Sequence, residues 1–128
     1  MLDQEKAQEM TIKKEEKLYE LIVAIVNKGY TDIVMEAAKN KGAKGGTTFN
    51  ARGTGNKDLG SFFGIAIEQE KEIVFILVDK AIKDDVLLAI YQDAGLETKG
   101  AGIAFSMAVS DVIGLTPIDV EKVIEEAK

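Results

Sequence analysis

The residues of this chain whose types and spacing could do chemistry sit in two short glycine turns. One is Arg52-Gly53-Thr54-Gly55-Asn56-Lys57, the other Lys99-Gly100-Ala101-Gly102-Ile103. Glycines free of a Cβ let the backbone turn sharply and bring amide N–H groups close to an anion such as a phosphate. Arg52, Lys57 and Lys99 add cationic side chains beside those amides. Such a pair of turns is chemistry for holding an anion, not for breaking a bond. Taken alone, each is more often a plain connection between strands. Functional weight has to come from the elements that position them.

Composition narrows the classes first. The 128 residues, 46% hydrophobic and 30% charged, suit one domain with a modest core. With 16 basic against 22 acidic residues the formal charge is −6, which argues against nucleic acid or an anionic membrane as a general partner. Neither cysteine nor histidine occurs. That excludes a disulfide framework, thiolate or imidazole metal ligands and the commonest general base. No nucleophile–base pair is visible, so the chain does not read as an enzyme. Asp84-Asp85 and Glu125-Glu126 read as solvated helix faces, and no metal site is expected. No apolar run approaches the roughly 20 residues that span a bilayer, and the start does not resemble a signal peptide. The expected location is cytoplasmic.

Residues 1–17 mix Glu, Gln and Lys and suit an exposed N-terminal extension. Leu18–Val26 is nearly continuous in β-branched and aliphatic residues, the mark of a central strand. Thr31 is placed to cap a helix running to about Asn40, with Gly42 suited to a left-handed C-terminal cap. A second strand is expected over Thr47–Ala51, then a long loop. Phe62–Ile67 could form a strand-like arm and Glu68–Lys71 a polar turn. Ile73–Val78 is the second strong central strand, looking buried on both faces like the first. Asp79 is a candidate cap for a helix whose stripe is Val86, Leu87, Ile90 and Tyr91, ending at Gly95. A fourth strand covers Ile103–Val109. The order strand, helix, strand, strand, helix, strand is the split βαβ pattern of ferredoxin-like α+β domains: a four-stranded antiparallel sheet with both helices on one face. Pro117–Ala127 reads as a further amphipathic helix. The division expected is 1–17 as extension, 18–114 as the domain and 115–128 as a C-terminal helical extension.

Three features together resemble the P-II nitrogen regulatory proteins. They are the element order, the Gly53-x-Gly55 entry to a long loop, and Gly100-Ala101-Gly102-Ile103-Ala104-Phe105, where the family has Gly-Asp-Gly-Lys-Ile-Phe. Thr47 also matches a threonine at the start of the family's second strand. The resemblance, covering about Leu18 to Gly114, implies a homotrimer that binds an adenine nucleotide (ATP, ADP or AMP) as effector between subunits, with no cofactor required. It implies ligand-dependent control of a partner enzyme or membrane transporter in nitrogen utilization, through the loop 52–67. The site would lie between Gly100, Ala101, Gly102 and Ile103 of one subunit and Thr47, Gly53, Thr54, Gly55, Asn56 and Lys57 of its neighbour, with Val26 offering apolar contact. Arg52, Asp58, Leu59, Phe62 and Phe63 would face the partner.

The chain also departs from that family. Ala101 and Ile103 replace its Asp and Lys, removing a phosphate-binding ammonium. Asn56-Lys57 stands where the family has Arg-Gln, and a lysine cannot replace the glutamine oxygen that ligates Mg²⁺ near 2-oxoglutarate. No tyrosine lies between Thr47 and Glu72, and Arg52 is the only arginine. A mono- or diphosphate, or another small anion, is therefore expected over Mg-ATP. The other reading is a ferredoxin-like trimer with a structural or different small-ligand role. The loop from Gly53 to Ser61 is expected to be mobile without a ligand, for its glycines raise backbone entropy.

Overall fold

The computed structural model describes residues 18–54, 69–115 and Ile124. Its elements run β1 (Tyr19–Asn27), α1 (Thr31–Asn40), β2 (Thr47–Gly53), β3 (Gln69–Asp79), a 3-10 turn (Lys80–Ile82), α2 (Lys83–Asp93) and β4 (Gly102–Val109). The four strands form one sheet in the order β2-β3-β1-β4, and every neighbouring pair is antiparallel. This is the expected ferredoxin-like α+β arrangement. The extension 1–17, the arm 62–67 and the helix 117–127 apart from Ile124 lie outside the described residues.

The register assigns every strand residue to a face. Ile22, Ala24 and Val26 of β1 share one face with Val74, Ile76 and Val78 of β3, and all six are buried. Val34, Ala37 and Ala38 of α1 and Val86, Ala89 and Ile90 of α2 complete that core. The short residues on α1 let the helix sit close to the sheet, while Ile22, Ile76 and Ile90 fill the volume between. At one end Glu20 is buried on the same face, 4.0 Å from the Lys83 ammonium. Lys83 also reaches Asp84 at 2.8 Å. The hydrogen bond to Asp84 is the main cause holding Lys83 above the ordinary lysine range, and the charge of Glu20 adds to it.

The sequence places α1 correctly but not its cap. Tyr30 is the N-cap and makes no side-chain capping bond, and Thr31 is the first helical residue. The turn before it is closed by Tyr30 N–H donating to the Asn27 carbonyl at 3.2 Å, which moves the helix start one residue back. The Thr31 hydroxyl is left buried without a hydrogen-bond partner. At the other end Gly42, with φ +105°, donates to Lys39 and Ala43 donates to Ala38, the paired bonds of a Schellman cap. Asp79 does cap, accepting from Ala81 N–H at 2.9 Å, but for the 3-10 turn that precedes α2.

One further expectation is corrected. Of the polar turn expected over Glu68–Lys71, Gln69–Lys71 already belong to β3, and Glu68 lies outside the described residues. There Glu70 lies opposite Arg52 and Lys71 opposite Ala51, so an opposite-charge cross-strand pair extends the ladder through polar residues. Within this chain β1 and β3 are fully buried on one face only, and the cover expected for the other face is a neighbouring subunit. Leu21, Ile25, Ile73 and Leu77 are only half-buried and Phe75 is 38% exposed, since both helices pack on the opposite side. Replacing Ile76, fully buried, with alanine should lower the unfolding free energy by about 2–5 kcal/mol. Leu88→Ala, on the outer surface of α2, should change it by less than about 0.5 kcal/mol. Urea titration of the two variants checks the contrast.

Candidate functional site

The two glycine turns belong to opposite edges of the sheet. Thr47 and Gly53 lie on edge strand β2, Gly102 and Ile103 on edge strand β4, with β3 and β1 between them. At roughly 4.8 Å per strand, three spacings put about 14 Å between them. One chain does not bring the two halves together. Gly55, Asn56, Lys57, Asp58, Leu59, Phe62 and Phe63 lie outside the described residues; Arg52 and Thr54 are exposed at the end of β2.

The second turn is built from its own backbone. Thr98 N–H donates to Gly95 at 2.9 Å and Ala101 N–H to Thr98 at 3.1 Å, so the Ala101 amide is spent within the turn. Gly100 takes φ +86° in open space. Gly102 has a different task. A Cβ there would stand 2.5 Å from the Ile25 carbonyl oxygen and 3.1 Å from Val26 Cγ1, so glycine lets β4 lie against β1. Val26 itself is buried on the helix-bearing face and offers no surface to a ring in this chain. Ile103 points to the other face and is 58% exposed.

That other face carries rows of apolar side chains, aligned by the register. Phe49, Ile73, Ile25 and Ile103 form one row, and Thr47, Phe75, Val23 and Phe105 the next. Leu77, Leu21 and Met107 form a third. Phe49 and Phe75 meet edge to face with ring centroids 5.1 Å apart. Val23 is only 5% exposed although no helix covers it, because Phe75 and Phe105 flank it on both sides. The flanking rings themselves remain open to solvent.

A cavity of about 260 Å³ opens at the β2–β3 end, lined by Lys28, Asn50, Ala51, Arg52, Glu70 and Lys71. Lys28, Glu70 and Lys71 went unrecognised in the sequence because the contacts that join them span more than forty residues. The turn after β1 is tied to the start of β3 by four bonds. Lys28 N–H donates to the Glu70 carbonyl at 3.3 Å, and the Lys28 ammonium meets the Glu70 carboxylate at 3.1 Å. Gly29 N–H donates to Glu72 at 2.5 Å, and the Lys71 ammonium donates to Asn27 Oδ1 at 2.6 Å. Among the described residues no three acidic side chains converge as a metal site, and no helix is long and apolar enough to cross a membrane.

The model of the family described as nitrogen regulatory protein P-II matches residues 19–117. The chain belongs to the P-II family. Among curated proteins no sequence match is found. Among solved structures, Arabidopsis thaliana PII bound to citrate is similar at 26% identity and TM-score 0.60, over 77% of this chain and 84% of that one. The B. subtilis GlnK–ATP complex is similar in fold at 16% identity and TM-score 0.58, over 73% of this chain and 83% of that one. For this P-II chain the packing predicts distinct fates for the two glycines of the second turn. Gly100→Ala should cost about 1 kcal/mol for its left-handed backbone alone. Gly102→Ala should cost about 3 kcal/mol, because the β4–β1 contact must open. Thermal unfolding of the two variants measures the difference, and equal midpoints would contradict it.

Proposed function

We propose that the protein is a P-II-type signalling regulator and not an enzyme. It forms a homotrimer through the helix-free face of the sheet and binds a small anionic effector between subunits. The observation that carries this reading is the apolar face, with Phe49, Phe75, Phe105 and Met107 each 38–50% exposed. A monomer leaves those side chains in water, while a stable interface of about 800 Å² per partner would bury them. A neighbouring copy also offers the β2 edge that a single chain holds two strands away from its own β4 turn. The effector would then sit between Gly100–Ile103 of one subunit and Thr47 with Gly53–Lys57 of the next. Similarity to a PII bound to citrate and, at the level of fold, to a GlnK–ATP complex supports a small anion or adenine nucleotide as effector.

The output of such a regulator is a change in the loop 52–67. An effector that binds one loop state more tightly than another shifts their populations and so alters the contact with a partner enzyme or transporter. Regulation of nitrogen utilization in the cytoplasm, without a required cofactor, is the role we infer from the family. The domain is taken as 18–114, flanked by extensions 1–17 and 115–128.

One observation favours the second reading, a trimer without nucleotide sensing. Ile103, exposed beside the second turn, brings an apolar group to a place where a phosphate would need a donor. Two measurements decide between these. Light scattering should give three times the 13.9 kDa chain mass, and Phe75→Glu should reduce it by placing a carboxylate in the middle of the apolar rows. ATP, ADP or AMP at 100 times its dissociation constant should stabilise the folded protein by about 2.7 kcal/mol. Ile103→Lys should strengthen that binding; a trimer whose melting ignores all three nucleotides, with or without the lysine, belongs to the second reading.

A further inference from the structure

The cavity beside Arg52 lies on the opposite side of the sheet from the apolar rows. In the β2–β3 register Arg52 faces Glu70 and Asn50 faces Glu72, and these residues share the face of buried Val74. Lys28 continues β1 onto the same side, its backbone donating to Glu70. The row across the strands is therefore Lys28, Glu70, Arg52, with one carboxylate between two cations. Lys71 borders the cavity from the neighbouring register position, but its side chain belongs to the opposite face, where its ammonium donates to Asn27 and Gln69 at 2.6 and 3.3 Å.

One cation of this cavity is left without an ion pair among the described residues. Glu70 is engaged by Lys28 at 3.1 Å. Among the described residues Arg52 has no carboxylate within ion-pair distance. Two cations, Lys28 and Arg52, face one lining carboxylate, Glu70, while Glu72, next along the same face, accepts from Gly29 N–H. Arg52 is the only arginine of the sequence. A guanidinium presents paired N–H donors that match two oxygens of a carboxylate or phosphate. Asn50 adds a neutral side-chain amide at the wall. At about 260 Å³ the cavity falls below the roughly 300–1,000 Å³ of pockets that enclose drug-sized ligands, so it suits a small anion and not a whole nucleotide.

We infer that this cavity is a binding site for a small oxyanion, a carboxylate or a phosphate, held by Arg52 and Lys28 within a single chain. Glu70 is the internal competitor. An oxyanion beside Arg52 draws the Lys28 ammonium from Glu70 and loosens one of the four bonds tying the start of β3 to the β1–α1 turn. Occupancy is in this way linked to the root of the 52–67 loop from the side away from the subunit interface. The site does not rest on the intersubunit reading, since every residue named comes from one chain.

The test is a titration of the full-length protein with inorganic phosphate and, separately, with succinate, followed by backbone amide chemical shifts. Saturable shifts at Lys28, Arg52 and Glu70 are expected with at least one of the two anions, and the one that saturates at lower concentration identifies the class. Arg52→Gln should weaken binding roughly tenfold, the loss of one charge-assisted contact. Glu70→Gln should strengthen it roughly threefold by removing the competing carboxylate at an exposed pair. Both substitutions sit on exposed side chains and should leave the melting temperature nearly unchanged. No saturable shift at these amides with either anion overturns the inference, as does an Arg52→Gln protein that binds like the parent. Shifts confined to Gly100–Ile103 would also overturn it while leaving the intersubunit site intact.

Discussion

The constraint on which the rest of this structure depends is that two helices can cover only one face of a four-stranded sheet. An antiparallel sheet with one free face ordinarily alternates apolar and polar residues. Here the alternate positions are apolar as well: Leu21, Val23 and Ile25 on β1, Ile73, Phe75 and Leu77 on β3, Ile103, Phe105 and Met107 on β4. Fully burying one such side chain is worth about 1.5–3 kcal/mol. Several of them together rival the roughly 5–15 kcal/mol by which a domain is stable at all. Whatever covers that face takes part in the folding equilibrium and is not a late addition to it.

The same sheet separates what each edge can do. With β3 and β1 in the interior, Gly53 and Gly102 lie at opposite edges of the sheet, and joining the two edges in one site would take a second copy. The Lys28–Glu70–Arg52 row lies across three strands of one chain and needs no copy. An effector bound between subunits would depend on protein concentration through assembly. An oxyanion bound at the charged row would not.

How much of this was legible in the sequence follows the range of the interactions. Leu18–Val26 and Ile73–Val78 announce central strands because hydrophobicity is a local property, and Gly42 announces a helix end because the left-handed conformation is one too. The first four residues of β3 were illegible for the opposite reason. Gln69 to Glu72 is polar text, and it becomes strand only when Arg52 and Lys28 stand opposite Glu70. Gly102 shows a subtler limit. Its lack of a Cβ was readable as room for a ligand, but the space is taken by the Ile25 carbonyl. A glycine states that something comes close without stating what. Thr31 was chosen as cap by residue type alone, and a backbone turn through Asn27 gave that position to Tyr30.

Ile103 joins these arguments at one side chain. It ends the row Phe49, Ile73, Ile25 on the helix-free face, yet it follows directly on the glycine turn at the β4 edge. Exposed by 58%, it stands where a subunit contact and a ligand cleft would border each other. An ammonium at that position would be desolvated by any copy packed against the sheet, at a cost that only a bound anion could offset. An isoleucine carries no such cost. It would favour a packed face whether or not a ligand is present, so assembly through this face would not require a phosphate at the β4 turn. Arg52 and Lys28 lie instead on the other side of the sheet, where a copy packed on the apolar face would leave them accessible to solvent.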